Sequence, residues 1–367
     1  MLSSLTRCKR CGLPETYPGI KFNREGNCNY CVYHDLSKER ERIIKSELKG
    51  QFRKLIKKIK RQNHKYDCIV AYSGGKDSTF LLQFLKNEFG LKILAHTLDN
   101  GFISRAALKN IKSITSVLNI DYKITRPQWG VLKKVFTQAL LNKFPYPKEI
   151  LALASPVCAV CIGMVFGSTI NLAMESKIPL MFIGFTPGQY PTISLENFLK
   201  VQSCMFLSDK VYRDDPLDIL KVLADPVKEQ FGHQVEKYYF SSQYFSTGLP
   251  VPKVLFPFHV IVDYDEKQIL REIAKIGWVK PKDTDSCSTN CLLNTAGNYA
   301  CVKQLRYHPY IGELAHSVRE GKISRRQALE TARTKTDSYA LKRSLRALGL
   351  SKNEIIRQNE KYPKRKK

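Results

Sequence analysis

The sequence has no run that reaches the ~18 uninterrupted apolar residues of a membrane-crossing helix, and its opening, MLSSLTRCKRCG, has no apolar core of a signal peptide. Both absences predict a cytoplasmic chain without membrane insertion. No internal repeat is present, and no low-complexity segment beyond the terminal KYPKRKK. Neither GxSxG nor HExxH occurs, so a nucleophile-elbow hydrolase and a zincin protease are not indicated. Acidic residues are scarce: 33 Asp+Glu face 60 Lys+Arg, a formal net charge of +27. Such a surplus suits a polyanionic partner, with tRNA the obvious one; a lysine-rich solvated surface gives the same count.

What is present is enough for a large core. A chain of 367 residues with 43% hydrophobic and 10% aromatic content should fold, as two domains or as one with appendages. Its 11 cysteines, in a cytosolic setting, do not read as a disulfide framework. Eight fall into close pairs, Cys8/Cys11, Cys28/Cys31, Cys158/Cys161 and Cys287/Cys291, whereas Cys68, Cys204 and Cys301 stand alone. Pairing at this density indicates metal sites.

Along the chain, residues 1–36 form a short module around two cysteine pairs. Residues 37–65 follow as a basic amphipathic helix, in which Ile44, Leu48, Phe52, Leu55, Ile56 and Ile59 recur at three- and four-residue steps and Gly50 weakens the middle. From 66 onward strands alternate with helices: YDCIVAY, LKILAHTL, DYKITRP and IPLMFIG are strand-like, with helical stretches between them. This order predicts a doubly wound parallel α/β sheet over 66–295, including a further strand within VPKVLFPFHVI and a helix over DEKQILREIAKIG. Residues 191–250 carry no clear pattern. Residues 296–367 read as a mainly helical, basic C-terminal region.

Ser73-Gly74-Gly75-Lys76-Asp77-Ser78 lies between a strand and a helix. Two glycines let backbone approach a phosphate, and the start of the following helix offers free N–H groups and a positive dipole end. Ser73, Lys76 and Ser78 add side-chain donors, and Asp77 is suited to hold Mg2+ on a pyrophosphate. The spacing is not that of a Walker loop. YDCIVAYSGGKDST resembles the PP-loop of the N-type ATP pyrophosphatases and adenine nucleotide α-hydrolases. The resemblance implies cleavage of ATP between the α- and β-phosphates, with AMP left on a substrate oxygen. It implies that Ser73, Gly74, Gly75, Lys76, Asp77 and Ser78 hold the pyrophosphate, and that Asp99 lies where the family contacts the adenosine. Asp99 in LDNG also reads simply as a turn residue.

Cys8-x2-Cys11 and Cys28-x2-Cys31 enclose a 16-residue linker, the spacing of a four-cysteine zinc knuckle. Cys158 and Cys161 precede a helix, and Cys287 and Cys291 lie far away in sequence. Three readings of this second set stand open: three ligands of a 4Fe–4S cluster whose fourth iron is open, a catalytic persulfide pair, or a second structural zinc. The order of motifs resembles the iron–sulfur tRNA-thiolating enzymes. It departs from them at Ile183–Tyr190, which lacks the acidic pair those enzymes usually carry. Residues 7–80 resemble more closely the N-acetyl-sugar amidotransferases of surface-polysaccharide biosynthesis, which take ammonia from a partner glutaminase.

These resemblances imply an AMP-forming enzyme using ATP, Mg2+ and Zn2+, with Lys76, Asp77, Cys158, Cys161 and Cys287 at its catalytic centre. Sulfur from a donor, or nitrogen from a glutaminase, replaces the activated oxygen of tRNA or a small molecule; formation of a homodimer is left open. His96 is expected to be a satisfied core histidine and His308 a turn residue. Arg126 and Arg306 are expected on the solvated surface.

Overall fold

The computed structural model describes residues 5–189, 211–240, 251–285, 287–333 and 338–357. Cys204, residues 191–210 and 241–250 of the unpatterned stretch, and the KYPKRKK tail lie outside the described residues.

Five strands form one parallel sheet: β1 Cys68–Ala71, β2 Ile93–Leu98, β3 Asp121–Thr125, β4 Leu180–Ile183 and β5 Lys253–Leu255, in the order β3-β2-β1-β4-β5. The register sets Val70 beside Ala95 and Phe182. β1, β2 and β4 are apolar runs buried almost throughout, as strands covered on both faces must be. β3 is an edge strand whose first three residues are exposed.

On one face lie the helices α1 Asn29–Arg61, α2 Lys76–Phe89 and α3 Arg105–Val117, packed through Phe52, Leu81, Leu82, Leu85, Ile111 and Ile114. Full burial of each such leucine is worth roughly 2 kcal/mol. Helices α4 Trp129–Leu140, α5 Lys148–Leu153 and α6 Pro156–Glu175 come next, and α6 covers the opposite face of the sheet. By length and composition α6 passes for a membrane span, with a mean hydropathy of 1.9, but 78% of that window is buried inside the protein. The chain builds β1 to β3 outward, then returns to place β4 on the other side of β1. Parallel sheets bind ligands at such a reversal, beyond the carboxyl ends of the strands.

The parallel α/β architecture is the one expected, and each strand-like run from 66 to 190 supplies one strand. Three local details differ. VPKVLFPFHVI forms a strand only over Lys253–Leu255, because Pro257 has no N–H for a ladder and instead opens the short helix Pro257–Val260. The basic helix begins eight residues early, at Asn29, so Cys31 sits in its first turn and the helix crosses the expected boundary at residues 36/37. Gly50 does not break it; the space around its α-carbon is open, and Leu48, Phe52, Ile56 and Ile59 hold the flanking turns against the core.

The C-terminal region is helical: Leu293–Gln304, Ile311–Arg319, Arg325–Thr331, Tyr339–Leu348 and Lys352–Arg357. Leu293–Gln304 straddles the expected boundary at residues 295/296. This region wraps back on the start of the chain, where the Arg325 guanidinium donates to the Cys8 carbonyl at 3.2 Å and the Thr16 hydroxyl to the Arg306 carbonyl at 3.0 Å.

Candidate active site

The turn after β1 is built for close approach. Gly74 has φ +73°, and a β-carbon there would stand 2.4 Å from the Ala107 carbonyl oxygen, so a larger residue is excluded on two counts. The Ser73 hydroxyl lies 3.2 Å from that of Ser78, and it accepts the Gly75 N–H at 3.4 Å. α2 then begins at Lys76 with its amino-terminal end facing a cavity of about 360 Å³.

Lys76 is anchored there. Its Nζ donates to both Asp77 carboxylate oxygens, at 2.9 and 3.1 Å, and to the Tyr264 hydroxyl at 3.1 Å, which in turn donates to Asp77 Oδ1 at 2.9 Å. Burial works against the ammonium charge, but Asp77, Tyr264, Glu266 and Glu313 outweigh it and hold Lys76 above the ordinary lysine value. It therefore stands as a fixed cation beside the loop. Glu313, from the first turn of Ile311–Arg319, also lines the cavity. Burial pushes its carboxyl up to about 7, with Lys76 and the hydrogen bond from the Thr186 hydroxyl pulling the other way.

The second cysteine set opens on the same cavity. α6 starts six residues earlier than the sequence suggested, with Ser155 as its cap, so Cys158 and Cys161 lie in its first two turns rather than ahead of it. Cys291 reaches them across the fold: Asn100 Nδ2 donates to Cys161 Sγ at 3.4 Å and to Cys291 Sγ at 3.6 Å. Asn294 Nδ2 donates to Cys158 Sγ at 3.6 Å. Burial pushes Cys158 up to about 11 and Cys161 up to about 12, and raises Cys291 as well, so these are thiols unless a metal or a cation claims them. Cys287 also borders the cavity, but its sulfur groups elsewhere: the ligand atoms of Asp285, Cys287 and His308 lie within 4.8 Å of one another. Of the distant pair, Cys291 rather than Cys287 joins Cys158 and Cys161.

Asp99 does not line the cavity among the described residues; it accepts the Gly101 N–H at 3.1 Å in a turn and pairs with the exposed Arg126 at 3.1 Å. Its neighbour Asn100, 4% exposed, takes the inward position. Strand alternation would have pointed to this residue, since successive side chains at a strand end face opposite ways. His96 is the satisfied core histidine expected, between Thr169 Oγ1 at 2.8 Å and Thr125 Oγ1 at 2.9 Å, and burial lowers it to about 4. His308 is buried and accepts the Tyr310 N–H. Arg306 has φ +63°, and its carbonyl accepts the Thr16 hydroxyl. Tyr264, Glu313 and Thr289 were not found by motif, because each comes from a distant segment, Glu313 and Thr289 to the cavity wall and Tyr264 to Lys76 and Asp77.

The first four cysteines form a separate buried cluster. Cys8 Sγ lies 3.8 Å from Cys31 Sγ, Cys11 Sγ 3.6 Å from Cys28 Sγ, and Cys28 Sγ 3.7 Å from Cys31 Sγ. Four sulfurs placed tetrahedrally at ~2.3 Å from a zinc ion stand about 3.8 Å apart, so the donor set and its spacing fit that ion. The N–H groups of Cys11 and Cys28 point at Cys8 Sγ, at 3.5 and 3.3 Å, and offset its negative charge.

No protein-family model matches the chain. An uncharacterised protein of Methanocaldococcus jannaschii is 33% identical over 78 residues, 21% of this chain and 28% of its own length, so the chain spans little more than a quarter of the curated relative it matches. Among solved structures, the chain is similar to the tRNA thiolase NcsA of Methanococcus maripaludis, solved with its 4Fe–4S cluster, at 15% identity over 94% of this chain and 98% of that one, with a TM-score of 0.35. It is also similar to the ammonia-dependent NAD synthetase of Campylobacter jejuni, at 10% identity over 66% of this chain and 98% of that one, with a TM-score of 0.28. At such identities and scores the likenesses carry no argument of their own, and what the site does is argued from its own side chains.

Proposed function

We propose that the protein uses ATP to adenylate a substrate oxygen, releasing pyrophosphate, and then replaces that oxygen with sulfur. One observation carries this reading: the phosphate loop and the thiols of Cys158, Cys161 and Cys291 line one cavity. An adenylated carbon formed at the loop thus shares one enclosure with these sulfurs.

The roles follow from the side chains. The β- and γ-phosphates of ATP lie against the loop between Ser73 and Ser78, where N–H donors and the Lys76 ammonium stabilise charge as the α–β phosphate bond breaks. Asp77 is the carboxylate available to a Mg2+ ion on that pyrophosphate. The substrate oxygen attacks the α-phosphorus and AMP becomes its leaving group, which an unactivated hydroxide or oxide is not. Glu313, with its raised pKa, is placed to take or give the proton that this exchange requires near neutral pH. It also supplies, on the wall next to Thr186, an acid that the stretch Ile183–Gln189 lacks.

The thiols of Cys158, Cys161 and Cys291 fit three ligands of a 4Fe–4S cluster, and their donor chemistry supports it: soft sulfurs, amide donors from Asn100 and Asn294, and an open side toward the cavity. Such a cluster, when bound, supplies an iron free to carry sulfide. The N-terminal four-cysteine cluster is the zinc knuckle in this reading and has no part in the reaction. tRNA is the favoured acceptor, because +27 net charge and the basic outer side of α1 suit a polyanion. Nitrogen transfer in the manner of the sugar amidotransferases has the same first half-reaction and is supported by residues 7–80.

Anaerobic purification with iron and sulfide analysis, together with product analysis from ATP, tests the proposal. Iron that is lost in Cys161→Ser but kept in Cys287→Ser, with AMP and pyrophosphate as products, is expected. A colourless protein holding two zinc ions per chain sinks sulfur transfer, and ADP with phosphate sinks the adenylation itself.

A further inference from the structure

The segment after Cys287 does more than carry Cys291. Its backbone is strapped to residues 102–104: the Ser104 N–H donates to the Asn290 carbonyl at 2.8 Å, the Leu292 N–H to the Phe102 carbonyl at 2.9 Å, and Ile103 pairs with Cys291 as an antiparallel bridge. One side chain of this strap reaches the phosphate loop. Thr289 Oγ1 accepts the Lys76 N–H at 3.0 Å, and it would stand 3.0 Å from a β-carbon at Gly75. Lys76 is the first residue of α2, whose leading N–H groups have no acceptor within the helix. The amide that Thr289 takes is therefore one that a phosphate oxygen at this loop would take.

We infer that Thr289 is a positioning residue linking the phosphate site to the thiol centre: pyrophosphate on the Lys76 amide displaces the Thr289 hydroxyl, and the strap that carries Cys291 shifts with it. A single residue, Asn290, separates Thr289 from Cys291, whose sulfur shares the Asn100 amide with Cys161. A short backbone segment held at both ends transmits a displacement over that distance rather than absorbing it. The consequence is order: the sulfur centre takes up its working arrangement only while the phosphate site is filled. The inference rests on the phosphate-loop reading above and adds to it a communication between its two halves.

Binding of inorganic pyrophosphate with Mg2+ to the full chain, measured by calorimetry, and hydrogen–deuterium exchange of the 287–292 peptide test this in the native protein, Thr289→Ala and Thr289→Ser. Loss of a competing hydrogen bond should let Thr289→Ala bind pyrophosphate about five-fold more tightly, while Thr289→Ser stays near native. Pyrophosphate should raise exchange of the strap in the native protein and in Thr289→Ser, and leave it unchanged, already high, in Thr289→Ala. Weaker binding by Thr289→Ala, or strap exchange indifferent to bound pyrophosphate in the native protein, overturns the link and leaves the phosphate loop standing. No pyrophosphate binding in any variant overturns the phosphate-loop reading and the link together.

Discussion

The indole Nε1 of Trp278 donates to the Gly74 carbonyl at 3.0 Å, 204 residues away in sequence. Asn110 Nδ2 approaches the same oxygen at 3.4 Å, and Trp278 itself is 7% exposed. The peptide that follows Gly74 is thus held by two side chains from outside the loop, which fixes which way its N–H groups face. A loop of small residues has little means of fixing this by itself.

Replacing Trp278 with Phe keeps most of the apolar filling and removes the donor. The Gly74 carbonyl loses a buried partner, and the expected cost is about 1–3 kcal/mol of stability. ATP–pyrophosphate exchange should fall by more than stability alone explains. Gly74→Ala is the harsher variant, because its β-carbon meets the Ala107 carbonyl and its φ is positive. Exchange should drop by about 100-fold or more, the scale seen when a preorganised donor is lost. Ordinary exchange rates in a folded Gly74→Ala protein would remove the phosphate loop from the mechanism.

Cys28→Ser should release one equivalent of zinc and loosen more than the knuckle. Cys8, Cys11, Cys28 and Cys31 pack in one cluster with Tyr17, Ala152, Tyr307 and Ile311. Loss of the ion therefore uncouples the C-terminal helices from α5. We expect a fall in Tm on the order of 5 °C or more, with early proteolysis beyond residue 305. Zinc content and melting curves of the two proteins decide it; an unchanged Tm assigns the cluster no structural role.

Asn100→Ala and Asn100→Asp should separate packing from electrostatics at the thiol centre. The alanine variant removes donors to Cys161 and Cys291. The aspartate variant keeps the shape but puts a carboxylate beside two sulfurs that must carry negative charge to bind metal. Iron per chain should fall several-fold in Asn100→Ala and further in Asn100→Asp. Equal iron in all three proteins would mean that Asn100 only shapes the β2 turn.

Glu313 gives a pH signature with a defined sign. Its folded-state pKa, raised by burial to about 7, lies above its ordinary value of 4.5. Between these values the folded state holds the proton more tightly than the unfolded state. The stability it contributes is complete below about pH 4.5 and is lost as pH rises through about 7. Glu313→Gln cannot lose a proton, so its Tm should gain on the native protein from pH 5 to pH 8. The pH–rate limb near 7 should vanish with it. A parallel pair of Tm profiles would show that this carboxyl does not titrate in that range.

How much was legible follows from where the contacts lie. The strand–loop–helix run from Cys68 to Phe89 was readable because apolar runs, paired glycines and helix periodicity are local signals. The clustering of Cys8, Cys11, Cys28 and Cys31 was readable because thiols with two residues between them must share a turn. The α1 start was misjudged by eight residues, since the helix grows out of the four-cysteine cluster and its first turn is chosen by Cys28 and Cys31, not by amphipathic pattern. Strand β5 was overextended because apolar content outweighed Pro257. Asp99 drew attention as an acid, yet the alternation of side chains at the end of β2 turns Asn100 inward. Cys291 and Cys287 could not be told apart by spacing, because either is near enough in sequence to reach Cys158 and Cys161.

By itself the sequence determined the elements that short-range chemistry controls: the buried strands, the amphipathic helices, the glycine turn before α2 and the two CxxC turns of the N-terminal cysteine cluster. Only the tertiary structure decided that Trp278 orients Gly74, that Thr289 takes the Lys76 amide, that Glu313 faces Lys76 and that Cys291 completes the thiol group. These pairings join residues far apart in sequence. They depend on how the helices after β5 wrap back over the carboxyl ends of the strands, and no local periodicity encodes that path.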